Sequence, residues 1–316
     1  MYEGTMTPSP APSAPSAEGA RPWLAFTACG TIWGSTFLAI SIGNDTLAPV
    51  WAATLRLVAA AMLLVAWTRL RRQALPRGRA LRAALAYGVC QFGVNLPLLY
   101  WGEKRVPSGL AAVAFATIPL SSALITRALG MEKLTRAKVA GACLALAGVA
   151  VLFSGSLQGH VAPLGLGAIL LAATVAALGT VLLKRGPRQD PIAANAVACA
   201  IGAVVSMAAS FALGEAHALP KTLGALLPLA YLTLAGSLGA FVIMSWLINH
   251  WPVTRTAYVS IIVPVIALGL GIAVRGERLD ALSVAGVALV LFGLVTGMRR
   301  GRPRLAPEHR ADRVTP

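Results

Sequence analysis

Trp33, Ser35 and Thr36 cluster near the middle of one apolar run, Arg56 lies inside a second, and Gln91 and Asn95 stand four apart in a third. Residues three or four apart share a helix face, so Trp33 with Thr36, and Gln91 with Asn95, each point to one side. These groups suit holding a solute: amide and hydroxyl hydrogen bonds, an indole face for stacking, and a guanidinium that could take a carboxylate. Each also has a plainer role. Trp33 could fill a core. The amides could bond a neighbouring helix, worth about 0.6 kcal/mol in membranes. An Arg at mid-span costs about 2.5–3.5 kcal/mol on insertion scales, so Arg56 needs a carboxylate, an interior partner, or a route for its stem to snorkel outward. Tyr100 and Tyr258 add hydroxyls nearer the run ends. Pro119 and Pro264 sit near mid-run, where each removes a backbone donor and crowds the carbonyl four residues back, of Phe115 and Ser260 respectively. Two such breaks could line a cavity and flex as hinges, or simply kink a helix.

Other chemistry is missing from the pattern. Cys29, Cys90, Cys143 and Cys199 all fall in apolar runs without metal-ligand spacing. The histidines lie in connections or the tail, and Asp45, Glu103 and Glu215 fall near run ends, so no buried acidic or histidine proton relay is expected. No phosphate-binding Gly-rich loop occurs. The sequence therefore implies no metal, no cofactor and no catalytic cluster, and an enzyme acting on lipid-linked substrates fits poorly.

The elements that must position these residues follow from composition. Hydrophobic residues make up 57% of the 316 and charged residues 12%, with a mean hydropathy of +0.73. A soluble domain carries about a quarter charged residues, so this is an integral membrane chain. Spanning the hydrocarbon takes about 20 apolar residues. Ten runs qualify: 23–42, 50–70, 83–102, 109–129, 139–154, 164–183, 191–213, 226–248, 253–274 and 282–298. The fold expected is all-α with ten transmembrane helices. Residues 1–22, rich in Pro, Ala and Ser, and the basic stretch 299–316 read as tails.

The net charge of +16 does not signal nucleic acid, because the basic residues sit in short clusters between spans. With the N-terminus inside, the cytoplasmic segments hold Arg21, the arginines of 69–82, Lys133, Arg136, Lys138, Lys184, Arg185, Arg188, Arg255 and the arginines after 298. The opposite loops hold Lys104, Arg105, Lys221, Arg275 and Arg278. The positive-inside rule then places both termini in the cytoplasm. Trp23, Trp51, Trp67, Trp101, Trp246 and Trp251 fall near span ends, as interfacial belts do.

The chain repeats itself. At an offset of 145, Trp101 meets Trp246, Pro107 meets Pro252, Pro119 meets Pro264, Glu132 meets Glu277, Gly141 meets Gly286 and Gly148 meets Gly293. A weaker match at offset 142 aligns PVWAATLR (49–56) with PIAANAVA (191–198), so Arg56 has only Ala198 opposite. Each copy holds five spans. Five is odd, so the second copy should enter the membrane inverted, and inverted repeats are the architecture of many secondary transporters. The glycines seven apart read as close helix packing. The charged hinges GMEKLT (130–135) and RGERLD (275–280) should then lie at opposite faces, with Glu132 and Glu277 pairing with bases or helix N-termini.

TIWGSTFLAI (31–40), LRLVAAAMLL (55–64), and IPLSSALITRALGMEKLTRAKVAGACLALAGVAVL (118–152) resemble a first EamA repeat, and VPVIALGLGIAVRGERLDALSVAGVALVLFGLV (263–295) a second. The resemblance, to the EamA family of the drug/metabolite transporter superfamily, implies two inverted five-helix EamA repeats (23–154 and 155–298). It also implies a central cavity and the bacterial inner membrane. Family members export or exchange amino acids and other small metabolites, so the expected partners are a small-molecule substrate and membrane lipids. Coupling to protons or to an exchanged substrate, and a homodimer, are compatible with the sequence. The expected binding set is Trp33, Ser35, Thr36, Arg56, Gln91, Asn95, Tyr100, Tyr258 and Ser260, with Pro119 and Pro264 as hinges. A lipid or lipid-carrier flippase is the alternative.

Overall fold

A computed structural model of the chain describes residues 20–131, 135–156 and 162–298. Residues 1–19 and 299–316, and Glu132 of the first charged hinge, lie outside the described residues.

All regular structure among the described residues is helical. We number the helices α1 Ala20–Gly43, α2 Pro49–Leu70, α3 Gly78–Glu103, α4 Ser108–Ala128 and α5 Arg136–Ser156, then α6 Pro163–Arg185, α7 Pro191–Ala212 and α8 Leu223–His250. The last two are α9, Val253–Ala257 continuing after a break as Val259–Arg275, and α10 Ala281–Met298. Eight of these, all but α5 and α10, are long and apolar enough among the described residues to cross a membrane. Proline opens several: Pro49, Pro163 and Pro191 stand in first turns, and Pro107 and Pro252 at N-caps. There the missing N–H costs nothing and the fixed φ suits the helix.

Two of the long helices change gauge midway. α3 is π-helical over Val89–Val94 and α8 over Leu232–Ala240. The two segments occupy corresponding places in the sequence repeat, an irregularity that hydrophobic periodicity did not signal. α4 breaks at Ala116–Thr117, two residues before Pro119. α9 breaks at Tyr258, six residues before Pro264, which lies within its second segment. The breaks thus accompany the prolines without coinciding with them.

Hydrogen bonds between loops sort the helix ends into two faces. On face A, Glu215 accepts from the N–H groups of Val50 and Trp51, Lys104 donates to the carbonyl of Asn44, and Arg275 bonds Ser41 and Asp45. On face B, Gln73 donates to Asp190 at 3.2 Å, Asn249 to the carbonyl of Gln189, and Lys184 to those of Ile248 and Trp251. α1 starts on face B, where Trp23 packs on Trp251. α6 starts on face A, where Gly165 abuts Gly102 at the end of α3. The second five helices are therefore inverted relative to the first.

The contacts obey the same pseudo-twofold relation. α2 packs on α7 and α5 on α10; α1 packs on α9 as α6 packs on α4, and α3 on α6 as α8 on α1. Small residues permit this. A Cβ on Gly148 would sit 2.7 Å from the carbonyl oxygen of Gly286, and one on Gly141 would collide with that of Gly293, so α5 and α10 touch backbone to backbone, as the seven-residue glycine spacing predicts. Thr54 of α2 and Ser206 of α7 share a buried 2.8 Å hydrogen bond. The outer surface is apolar, with Leu63, Leu124, Leu146, Leu171, Val204, Val265 and Phe292 exposed to what would be lipid. Trp rings mark both edges: Arg105 lies 3.6 Å over Trp101 on face A, and Arg255 4.0 Å over Trp251 on face B.

Candidate functional site

A cavity of about 80 Å³, counted as the space open to the centre of a water molecule, lies between the two halves. Residues of α1, α2, α3, α4, α6, α8 and α9 line it, so both repeats contribute. Its wall is mostly Phe37, Ile40, Leu96, Leu99, Phe115, Phe241, Met244 and Val263, with few polar atoms. Among the lining residues none is acidic and Arg56 is the only fixed charge.

Arg56 does not snorkel. It is 2% exposed and held inside by two donations, Nε to the hydroxyl of Ser237 at 2.8 Å and Nη1 to that of Tyr100 at 3.2 Å. Nη2 makes no bond among the described residues. It lies 2.7 Å from where a Cβ on Gly236 would stand, so the glycine leaves room for the guanidinium. Gly236 and Ser237 fall in the π-helical segment of α8. A neutral cradle thus orients a buried cation that faces a cavity without an anion.

Around it stand buried polar atoms with no hydrogen-bond partner among the described residues. Asn95 spends its amide N–H on the carbonyl of Gln91 at 3.0 Å, leaving Oδ1 buried and unpartnered. The indole N–H of Trp33 and the hydroxyl of Ser122 are also buried without a partner. The Trp33 ring rests 5.1 Å from that of Phe241. Buried polar groups nearly always have partners, and exceptions ask for an unseen ligand or water.

Of the residues singled out in the sequence, Trp33, Thr36, Arg56, Gln91, Asn95 and Ser260 line this cavity. Thr36 and Ser260 turn their hydroxyls back to the carbonyls of Trp33 and Ala257. Tyr100 stands behind Arg56 and acts through it. Ser35 lies on another side of α1, bonding Tyr231 at 2.5 Å. Tyr258 and Pro119 line a separate, narrow groove beside α5 and α10. The sequence reading missed Ser122, Gly236 and Ser237; hydroxyls and glycines are too common in membrane helices for type alone to mark them.

Toward face A the space is filled. Tyr100, Leu110, Ala111, Ala114, Ile169 and Ala267 are each at most 5% exposed. Glu277, in the α9–α10 connection, spans the seam: it accepts from the N–H of Ser108 (2.8 Å), its hydroxyl (2.5 Å) and the N–H of Gly109 (3.0 Å), capping α4 of the other repeat. Toward face B the lining runs on to Thr256 and Ala257, near the start of α9.

The chain matches the profile of the EamA-like transporter family twice, over residues 22–154 and 163–297. It is 34% identical to the uncharacterized inner membrane transporter YedA of Escherichia coli K12 over 267 residues, 84% of this chain and 86% of that one. It is 29% identical to a probable amino-acid metabolite efflux pump of Salmonella typhimurium LT2, covering 83% and 90%. With a probable terminal-alkyne amino-acid exporter of Streptantibioticus cattleyicolor it shares 27% over 87% and 93%. One crystal structure superposes with a TM-score of 0.65 at 22% identity over 89% of this chain and 98% of that one, a likeness of fold. With a family match to each copy of its duplicated helical frame, the chain belongs to the EamA-like transporter family.

Proposed function

We propose that the chain is a multi-pass transporter of the inner membrane that exports or exchanges a small carboxylate-bearing metabolite, an amino acid or a similar amphipathic solute. The observation that carries this is Arg56: a buried cation that lines the cavity, unopposed by any acid in the cavity wall, with an Nη2 that makes no hydrogen bond among the described residues. A substrate carboxylate meets that group. An ammonium or hydroxyl meets Asn95 Oδ1, and an apolar side chain lies against Phe37, Phe115 and Phe241. The similarity to amino-acid exporters supports the same chemistry.

In this reading all ten helices cross the bilayer, with the arginine-rich face B in the cytoplasm together with both termini. The sealed face A is then external, and the cavity is directed inward. The two inverted repeats rock about the cavity to exchange access, with α4 and α9 flexing at the breaks beside Pro119 and Pro264.

Counterflow in proteoliposomes with a panel of L-amino acids tests the proposal. Saturable exchange of at least one, reduced on the order of 100-fold in Arg56→Ala and partly kept in Arg56→Lys, is the expected result. Equal flux in wild type and Arg56→Ala would remove the site.

A further inference from the structure

Glu103 departs from what the sequence implied. As the last residue of α3 it reads as interfacial, yet it is 5% exposed and neither carboxyl oxygen has a hydrogen-bond partner. It follows Asn95 and Leu99 at four-residue steps, so it continues the cavity-lining stripe of α3 into the sealed end at face A.

The charged groups acting on Glu103 are Glu277 and Arg56. Glu277, which accepts from three donors at the α4 N-terminus, opposes a second negative charge at Glu103. Arg56 directs its donations to Ser237 and Tyr100. From α3 itself, the Tyr100 hydroxyl oxygen accepts from Arg56, and the adjoining Lys104 and Arg105 donate to the carbonyls of Asn44 and Trp101. At the end of α1, Asn44 donates to the carbonyl of Tyr100 and keeps its own Oδ1 unpartnered. α6 presents Gly165 and Ile169 to the neighbouring Gly102, neither of them titratable. No donor among the described residues reaches Glu103. A buried carboxylate that accepts no hydrogen bond is far costlier than its neutral acid, and the group neutralises instead.

We infer that Glu103 is a proton switch on the face-A gate: its carboxyl is protonated while that face is sealed and ionises when the face opens to water. Opening releases one proton to face A, and closing takes one up. The equilibrium between sealed and open forms then shifts about tenfold per pH unit across the titration range, favouring the open form as pH rises. Acid at face A would reseal the gate. The gate's role in transport rests on the function proposed above, but the protonation itself does not, and neither measurement below needs a substrate.

Two measurements test the switch. In wild-type protein labelled with carboxyl-13C glutamate, infrared spectra at neutral pH should contain an isotope-shifted band of a protonated carboxyl, absent from Glu103→Gln. A spectrum without that band overturns the assignment even if the variant fails to fold. Secondly, Ala111→Cys, in a background with the native cysteines replaced, reports opening at face A through maleimide labelling. Labelling should rise with pH toward the tenfold-per-unit slope, keep that dependence with Glu103→Asp, and lose it with Glu103→Gln. Labelling that ignores pH in the Glu103-containing protein, or follows it unchanged in Glu103→Gln, overturns the inference.

Discussion

The two repeats place similar backbones around α2–α3 and α7–α8 but put different chemistry there. In the first, Arg56 reaches across to Ser237 in the opposite half and to Tyr100 in its own. In the second, Ala198 occupies the aligned position. Asn195, one turn earlier, donates to Ser245, the residue aligned with Tyr100, at 2.7 Å and to the carbonyl of Phe241 at 3.3 Å. Arg56 lines the cavity; Asn195 and Ser245 do not. Gln91 shows the same divergence, since its repeat partner is Gly236, the residue that makes room for Arg56. The two copies share a frame, and one half alone carries the charge. In the function proposed above, a solute between the halves would meet a polar side and a plain one, which would orient it.

That contrast can be broken in graded ways. Arg56→Ala should reduce counterflow on the order of 100-fold, as expected for removing a buried charged partner. A smaller loss would mean that the carboxylate is held elsewhere. Gly236→Val places a side chain against the guanidinium, and flux should fall about tenfold or more through mispositioning, with the protein still extracted and monodisperse. Gly148→Val strikes the frame instead. Forcing α5 from α10 should cost about 1–3 kcal/mol and lower the melting temperature, leaving flux per folded molecule unchanged. Asn195→Ala should matter least, about 0.6 kcal/mol of stability and no change in flux. A transport defect in Asn195→Ala as deep as that of Arg56→Ala would mean that both halves carry the chemistry.

The frame was legible in the sequence because its causes are local or periodic. Apolar runs of sufficient length, paired glycines, terminal tryptophans and an offset of 145 predict the helices, their duplication and close packing at those glycines, though not which helices meet there. The site was legible in part. Trp33, Arg56, Gln91 and Asn95 stand out because polar groups in apolar runs are expensive. Ser35 carries the same sequence signal and points elsewhere, because two adjacent helix positions differ by a large turn. Glu103 was misread since burial at a helix end depends on what the α1–α2 and α9–α10 connections place over it. Gly236 and Ser237 gain meaning only from Arg56, which lies in the other repeat.

The π-helical turn at Val89–Val94 makes α3 tolerant of a change in chain length. Such a turn takes up one residue more than a regular α-helical turn. Dropping one residue there would let α3 wind regularly with Asn95 and Leu99 kept on the cavity wall, whereas the same deletion in a regular turn would swing the remainder by about 100°. A single-codon deletion should thus be nearly silent in this turn and disruptive one turn away.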